Sequence, residues 1–110
     1  MDEYGIYSID FGNGIGHEQS YSRPAILFKD LHDLGLALVI PLTSKLIRLN
    51  LPYTIQINRD QITNLKENSV ALIFQLRAIS CNRIKGNKIG SLDEISVKKI
   101  KTVITEMLDL

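Results

Sequence analysis

Three short polar stretches hold the residues of this 110-residue sequence whose types and spacing could do chemistry. The first is GHEQSYSRPAIL (residues 16–27), which places His17, Glu18, Gln19 and Arg23 directly before an apolar run. An imidazole changes its charge near neutral pH and can transfer protons, whereas a guanidinium stays charged and binds anions. The stretch therefore combines proton transfer and anion binding at the point where a loop enters a strand.

The other two stretches lie at the end of one apolar segment and inside another. VIPLTSK places the hydroxyls of Thr43 and Ser44, followed by Lys45, at the end of a buried-strand candidate. FQLRAIS places Gln75 and Arg77 two residues apart, so both side chains lie on the same face if the segment is extended. The alternative interpretations are structural. Thr-Ser after a strand is typical of a turn or cap, and alternating polar residues are typical of a solvent-facing strand.

Several classes of function are excluded by what the sequence lacks. The glycine-rich GNGIG (residues 12–16) has no Lys-Ser/Thr to complete a P-loop, and no G-x-S-x-G motif is present. The single Cys81 cannot form an internal disulfide, and no His, Cys and carboxylate cluster indicates a zinc site. The longest apolar run, residues 34–42, is too short to span a bilayer, and the acidic start MDEYG is unlike a secretory signal. We therefore expect a cytoplasmic protein without a membrane segment.

The charged residues are unevenly distributed, although the net charge is only +1. Residues 1–20 carry acids and no Lys or Arg, whereas residues 45–59 and 76–92 carry bases and no acid. If the two basic segments meet in space, they form a face that binds a polyanion. The alternative is two solvated loops with ordinary surface charge.

The apolar pattern predicts five or six strands in a meander, followed by one helix. Strand candidates cover residues 5–11, 24–29, 36–44, 53–58 and 69–80, the last being one long strand or two strands separated by a bend. Pro41 indicates an edge position or a bulge near the end of the third candidate. The strict alternation of the fourth candidate predicts that Tyr53, Ile55 and Ile57 point inward.

An amphipathic helix is predicted after residue 92. Its apolar face contains Ile95, Ile100, Val103, Ile104, Met107 and Leu108. Ser91 and Glu94 fit a capping box, and Asp93 lies where the helix dipole favours an acid. The expected architecture is a mainly β fold, a small sheet or barrel with a C-terminal helix covering one side.

In their order and separation, the three stretches resemble the MazF/PemK family of toxins from bacterial toxin–antitoxin pairs. GHEQSYSRPAIL is similar to the family's G-S/H-E-Q-x-x-x-R-P-x-x-V, and VIPLTSK is similar to its strand ending in Pro-x-Thr-Ser. SVALIFQLRAISCNRI is similar to its Ser-Val-x-Leu-x-Glu-Gln-x-Arg-Thr-Ile-x-x-x-Arg. The resemblance covers nearly the whole chain. It implies one toxin domain over residues 1–110 with an SH3-like β-barrel and a C-terminal helix, as in CcdB and MazF.

The resemblance implies a metal-independent endoribonuclease, without a cofactor, that cuts single-stranded RNA by attack of the neighbouring 2′-OH. Arg23 and Thr43 match the family's catalytic residues. A guanidinium stabilises the extra charge of the pentacoordinate phosphate, with proton delivery to the leaving oxygen as a further role, and the Thr43 hydroxyl positions or stabilises the phosphate. Candidates for holding the loop or reading RNA bases are Glu18, Gln19, Ser44, Gln75 and Arg77.

The group that takes the 2′-OH proton has two interpretations. His17 lies inside the first motif and is of a type suited to proton transfer near neutrality, or it only shapes the loop and contacts RNA. Glu18 could likewise orient Arg23. Phe74 stands where the family usually has an acid, so a mechanism that uses that acid as base is not open to this chain. His32, the other histidine, is expected on the surface of a loop.

Three classes of function remain as hypotheses. The first is a ribonuclease toxin that acts as a homodimer and is inhibited by a cognate antitoxin, whose acidic, partly disordered segment folds across the basic face. The second is a catalytically weakened relative that binds RNA or antitoxin without cleaving, which Phe74 suggests. The third is a gyrase poison related to CcdB, which depends on a C-terminal Trp that this sequence lacks.

Overall fold

The computed structural model describes residues 1–13 and 20–110, and this part of the chain contains seven β-strands and one α-helix. The strands are β1 (Gly5–Asn13), β2 (Ser20–Leu31), β3 (Leu36–Thr43), β4 (Thr54–Ile57), β5 (Ser69–Leu72), β6 (Arg77–Ser80) and β7 (Ile84–Ser91). The α-helix is α1 (Glu94–Leu108), and 3-10 helices cover His32–Leu34, Leu46–Asn50, Ile73–Gln75 and Cys81–Arg83. None of the helices in the described ranges is long and apolar enough to cross a membrane.

The strands form one antiparallel sheet in the order β4-β5-β3-β2-β1-β7, with β6 paired beside β3. Along one side, β3 contacts two strands in turn: its residues 36–39 pair with β6, and Leu42 and Thr43 pair with β5. This change of partner curls the sheet into a half-barrel. The predicted mainly β fold with a C-terminal helix is confirmed.

Both faces of the sheet bury apolar side chains. One cluster lies between the sheet and α1 and includes Ile6, Ile26, Ile40, Ile57, Ile100 and Ile104. The other cluster lies on the opposite face and includes Tyr7, Ile9, Ala25, Leu27, Val39 and Ile79. Neighbours such as Ile26 and Leu27 belong to different clusters, because successive side chains of a strand point to opposite faces.

β7 is the strand that the apolar pattern did not predict. Its central residues are exposed and it contains two glycines, so no alternation marks it in the sequence. It is defined by its pairing with β1, in which Gly5 lies opposite Ser91 and Ile9 lies opposite Ile84. Because β7 returns to β1, the sheet is not the simple meander that we expected.

Three details of the strand predictions can be compared with the structure. β3 is central in the sheet and not an edge strand, and Pro41 lies opposite Ala25 of β2, at the place where β3 changes partner from β6 to β5. Tyr53 is not inside: it is 40% exposed, with a left-handed φ of 57°, whereas Ile57 is buried. Residues 69–80 contain two strands separated by a bend, which was one of the two predicted alternatives.

The cap of α1 differs from the predicted capping box. Ser91 is the last residue of β7, and Asp93 is the N-cap: its Oδ1 accepts a hydrogen bond from the Ser96 N–H at 2.7 Å. The apolar face is also shorter than predicted, since Ile95 and Leu108 are 67% and 54% exposed. Ile100 and Ile104 are the buried residues of α1, and Val97, Val103 and Met107 pack beside them on the same cluster.

The Asp93 cap leads to a prediction about stability. Its hydrogen bond from the Ser96 N–H lowers the pKa of the carboxyl in the folded protein. We expect Asp93→Ala to cost about 1 kcal/mol of unfolding free energy at pH 7. The unfolded chain binds more protons than the folded one in the acid range. The ionised Asp93 carboxylate therefore makes its full contribution to the free energy of unfolding above about pH 4. This contribution is lost as the pH falls through the pKa of Asp93 in the folded protein.

Urea unfolding at pH 7 and at pH 2 measures this effect. Asp93→Asn is the matched control, because it keeps a capping oxygen and does not titrate. The Asn variant should retain most of the stability at pH 7 and lose the acid-dependent part. An Asp93→Ala penalty of equal size at both pH values would contradict the assignment.

Candidate functional site

Arg23 is fixed by the sheet and by contacts from two other elements. It lies on β2 opposite Ile9 of β1, and its side chain is half-buried. Its Nη2 donates a hydrogen bond to Oε1 of Gln75 at 3.4 Å. Its guanidinium carbon lies 5.3 Å from the centroid of the Phe11 ring. A strand residue with these contacts presents its guanidinium in a defined place, which a loop residue would not.

A second arginine contacts the same aromatic ring. The guanidinium carbon of Arg77 lies 5.4 Å from the centroid of Phe11. Two guanidiniums on one ring concentrate positive charge and favour an anion beside them. The sequence would place Gln75 and Arg77 on one face if their segment were a single extended strand. It is not, since Gln75 lies in a 3-10 turn and Arg77 begins β6. The turn nevertheless brings both residues close to Arg23.

Thr43 lies at the last position of β3, opposite Val70 of β5. Its Oγ1 accepts a hydrogen bond from the Lys45 N–H at 3.3 Å, so the residue does form the local turn that was the structural alternative. A hydroxyl that accepts one hydrogen bond can still donate its own proton to a ligand. Ser44, the next residue, is exposed. The structural and the chemical interpretation of Thr43 are therefore compatible.

Arg23 and Thr43 line two cavities at once. The large cavity, of about 830 Å³, is also lined by Ser44, Arg59, Asn64, Lys66 and Glu67, among others. The small cavity, of about 320 Å³, is also lined by Lys45, Arg48, Leu51, Leu72, Phe74 and Gln75. The two residues that the sequence singled out thus stand on the border between the cavities.

Positive charge is in excess on the walls of both cavities. Their cationic lining residues are Arg23, Lys45, Arg48, Arg59 and Lys66. The first of the two predicted basic segments, residues 45–59, therefore contributes its three bases to the site. The second contributes Arg77 through the Phe11 ring. Lys88 of the second segment lies elsewhere, with its Nζ 2.8 Å from Oδ2 of Asp2. The two basic segments therefore meet only in part.

The loop between β4 and β5, residues 58–68, supplies a wall of the large cavity that the sequence did not predict. Oδ1 of Asp60 accepts hydrogen bonds from the N–H groups of Ile62 and Thr63, both at 2.8 Å, and the Thr63 hydroxyl donates to the Asn58 carbonyl at 2.9 Å. Gly90 of β7 lies directly against this loop, where a Cβ would overlap the Thr63 carbonyl. The Asp-x-x-Thr pattern could have identified the turn, but not that it faces Arg23.

Glu67 was also missed by the sequence analysis. It lies on the wall of the large cavity and is the only carboxylate that lines either cavity within residues 1–13 and 20–110. No local motif marks it. In the same ranges, no three His, Cys, Asp or Glu residues gather into a group that could hold a metal ion.

Three predicted site residues, His17, Glu18 and Gln19, lie outside the described residues, so their roles stay predictions. The described ends of β1 and β2 pair through Asn13 and Ser20, three residues before Arg23. His32 is exposed in the 3-10 turn after β2, as predicted.

Fold and site together define a small, strongly curled β-sheet protein with a cationic cleft on both sides of one arginine and one threonine. The family model described as a PemK-like, MazF-like toxin of a type II toxin–antitoxin system matches residues 2–108. The chain belongs to this family of toxins.

Several solved structures share the fold of this chain. A MazE–MazF complex from Deinococcus radiodurans is 17% identical, with a TM-score of 0.77 over 100% of this chain and 96% of that chain. The Mycobacterium tuberculosis toxin MazF-mt6 is 17% identical, with a TM-score of 0.72 over 96% and 97% of the two chains. An endoribonuclease in complex with its cognate antitoxin, from a mycobacterial species, is 15% identical, with a TM-score of 0.73 over 98% and 94%. Because the identities are this low, the likeness to these structures shows the fold alone. No curated protein matches the chain.

Proposed function

We propose that this protein is a metal-independent, sequence-specific endoribonuclease that acts in the cytoplasm as the toxin of a toxin–antitoxin pair, with one domain over residues 1–110. The observation that carries the proposal is the position of Arg23 and Thr43 on the border between two cationic cavities. A single RNA strand that crosses this border brings one phosphate to the two residues and its flanking nucleotides into the cavities. Membership of the toxin family supports the same activity.

The reaction is an attack of a 2′-oxygen on the adjacent phosphorus, which breaks the bond to the 5′-oxygen. The 2′-OH loses a proton and the 5′-oxygen gains one, leaving a 2′,3′-cyclic phosphate and a 5′-OH. Negative charge accumulates on the phosphate oxygens in between. The planar fork of Arg23 donates two parallel hydrogen bonds to these oxygens, and the Thr43 hydroxyl donates another. Arg23 also donates a hydrogen bond towards the leaving 5′-oxygen, which takes its proton from the solvent.

His17 takes the proton of the 2′-OH in this mechanism. A guanidinium stays protonated in proteins, so Arg23 is a poor base, whereas a neutral imidazole is matched to proton transfer near neutral pH. Glu67 on the large-cavity wall is the competing base. Glu18, Gln19, Ser44, Gln75 and Arg77 are assigned to holding the loop and reading RNA. The cations on the cavity walls contact phosphates, so binding weakens as the salt concentration rises.

Two protein partners belong to the proposal. The first is a cognate antitoxin whose acidic, partly disordered segment covers the cationic cleft and blocks Arg23. One of the similar structures is an endoribonuclease in complex with its cognate antitoxin, and another is a MazE–MazF complex, which supports this partner. The second is another copy of the chain. Leu46, Ile47 and Leu49 are exposed apolar side chains that line neither cavity, and they offer a surface for a homodimer, with Ile47 at 70% exposure. The mass in solution measures that assembly.

Incubation of the purified protein with a long single-stranded RNA in the presence of EDTA tests the enzyme activity. We expect discrete cuts at a short recurring sequence, with cyclic phosphate on one end and a 5′-OH on the other. The end chemistry distinguishes this activity from a contaminating nuclease that leaves other ends.

The second candidate function is a protein that binds RNA or antitoxin without cleaving. Phe74 favours it, because an apolar ring stands where the family usually has an acid. The same assay decides between the two. If the folded protein binds RNA but leaves it intact across many sequences, the ribonuclease proposal is wrong and the chain is a binding protein.

A further inference from the structure

Phe74 is an exposed aromatic side chain that the mechanism above does not use. It lies in the 3-10 turn Ile73–Gln75 between β5 and β6, and 40% of its surface is exposed. The preceding Ile73 is completely buried, and its N–H donates a hydrogen bond to the Tyr53 carbonyl at 3.1 Å. The buried Ile73 fixes the turn from below, so Phe74 is held outward, on the wall of the small cavity.

The surroundings of the ring are cationic. The small cavity is lined by three bases, Arg23, Lys45 and Arg48, and its described lining contains no acid. A ligand that suits this cavity carries negative charge together with a flat apolar face. A nucleotide has both, since its phosphate matches the bases and its nucleobase stacks on an aromatic ring.

We propose that Phe74 is a stacking platform for one nucleobase next to the cleaved phosphate. This inference rests on the proposed ribonuclease function and adds a position at which the substrate is recognised. The cavity volume of about 320 Å³ is of the size that holds one small ligand, and Arg23 and Thr43 on its border hold the phosphate of the same dinucleotide. Stacking accepts every base, so Phe74 contributes affinity and fixes the strand, while polar neighbours select the sequence.

A second copy of this chain suits the small cavity less well than a nucleotide does. Contact with a second copy of this chain would remove Arg23, Lys45 and Arg48 from water, and no acid of the described lining would compensate their charge. An RNA strand brings the compensating phosphates with it. The ring therefore serves the substrate and not the homodimer interface, and the acidic antitoxin segment proposed above would compete with RNA for the same bases.

The first experiment uses the absence of Trp from the sequence. Phe74→Trp places a single fluorophore in the small cavity. The RNA probe carries a 2′-deoxy nucleotide at the mapped cut site, so it binds without being cut. We expect quenched fluorescence on binding, and loss of the quenching when one of the two nucleotides flanking the cut is abasic. Leu34→Trp, at a position that is 70% exposed in the turn after β2, is the control and should show no change.

The second experiment measures affinity for the same probe. Phe74→Leu keeps an apolar side chain of similar size without a π-face, and we expect it to weaken binding about 5- to 150-fold. Phe74→Tyr should restore most of the affinity. In the Leu variant, the abasic probe should bind no more weakly than the intact probe, because the contact has already been lost.

The outcomes separate this inference from the ribonuclease proposal. If natural RNA is not cut, a short single-stranded DNA, which lacks every 2′-OH, serves as the probe. A loss of its affinity in Phe74→Leu then leaves the platform standing and removes the enzyme. Cleavage with equal kcat/KM for wild type and Phe74→Leu keeps the enzyme and overturns the platform. A platform is also overturned if Phe74→Leu lowers the mass of the protein in solution while the abasic probe binds like the intact one. Absence of any binding of the probe overturns it as well.

Discussion

Replacement of Arg23 by Ala is expected to lower the rate of RNA cleavage about 10³-fold or more. In the proposed mechanism the guanidinium stabilises the pentacoordinate phosphate, and loss of such a donor from a preorganised site commonly costs two to three orders of magnitude or more. Arg23→Lys keeps the charge but loses the planar fork, so we expect a loss that is smaller but still large. Single-turnover cleavage of an RNA with one mapped cut site measures both.

Lys98→Ala is the matched control for the Arg23 variants. It removes one positive charge from an exposed position of α1, which lines neither cavity. Thermal unfolding should show that all variants are folded, because the Arg23 side chain contacts Phe11 and Gln75 but is only half-buried. Cleavage by Arg23→Ala within tenfold of the wild-type rate would refute the assignment of Arg23 to the transition state.

Replacement of His17 by Gln is expected to lower kcat about 10²- to 10⁴-fold. Gln can still hydrogen-bond but cannot accept the proton of the 2′-OH. In the wild type, kcat should rise with pH as the imidazole becomes neutral, because only the neutral form is a base. The variant should lose this rise. Rates between pH 5 and pH 8 on a preformed RNA complex measure the effect.

His32→Gln and Glu67→Gln complete the experiment. His32 is the other histidine and is exposed in the turn after β2, so its replacement should leave the pH profile unchanged. Glu67 is the competing base on the large-cavity wall, and we expect its replacement to cost less than tenfold in kcat. If Glu67→Gln abolishes the pH dependence and His17→Gln retains it, the carboxylate is the base. His17 then only shapes the loop or contacts RNA.

Much of the site was predictable because it lies at the ends of strongly apolar segments. Arg23 directly precedes the apolar run of β2, and Thr43 ends the buried β3, so sequence position alone put both at strand borders. Gln75 was identified by its motif, and the sequence placed it beside Arg77 on one face only if the segment was extended, which it is not. A turn, and not an extended strand, brings it to Arg23. Local patterns report such borders well, since they depend on neighbours in sequence.

Other features had no local signal. The loop of residues 58–68, with Lys66 and Glu67, lines the same cavity as Arg23 and packs against Gly90 of the distant β7, where a Cβ would overlap it. β7 itself is half exposed and has no alternation. In the sequence, Phe74 was noted only as a departure from the family pattern. The neighbouring residues do not indicate whether its aromatic ring points into the core or into a cavity.

The sequence by itself determined the family, the mainly β architecture with its C-terminal helix, and the two residues on which the proposed chemistry depends. Apolar runs or alternation along most of the strands, the helical spacing near the end of the sequence and three spaced motifs carry that information, and all of them are local. Only the tertiary structure decided that Arg23 and Thr43 share the border of two cavities, that Arg77 and Arg23 contact one Phe11 ring, and that a cationic wall comes from residues 45–66. These depend on the change of partner along β3 and the return of β7 to β1. Such pairings of distant segments depend on the packing of the whole sheet, and no short stretch of sequence specifies them.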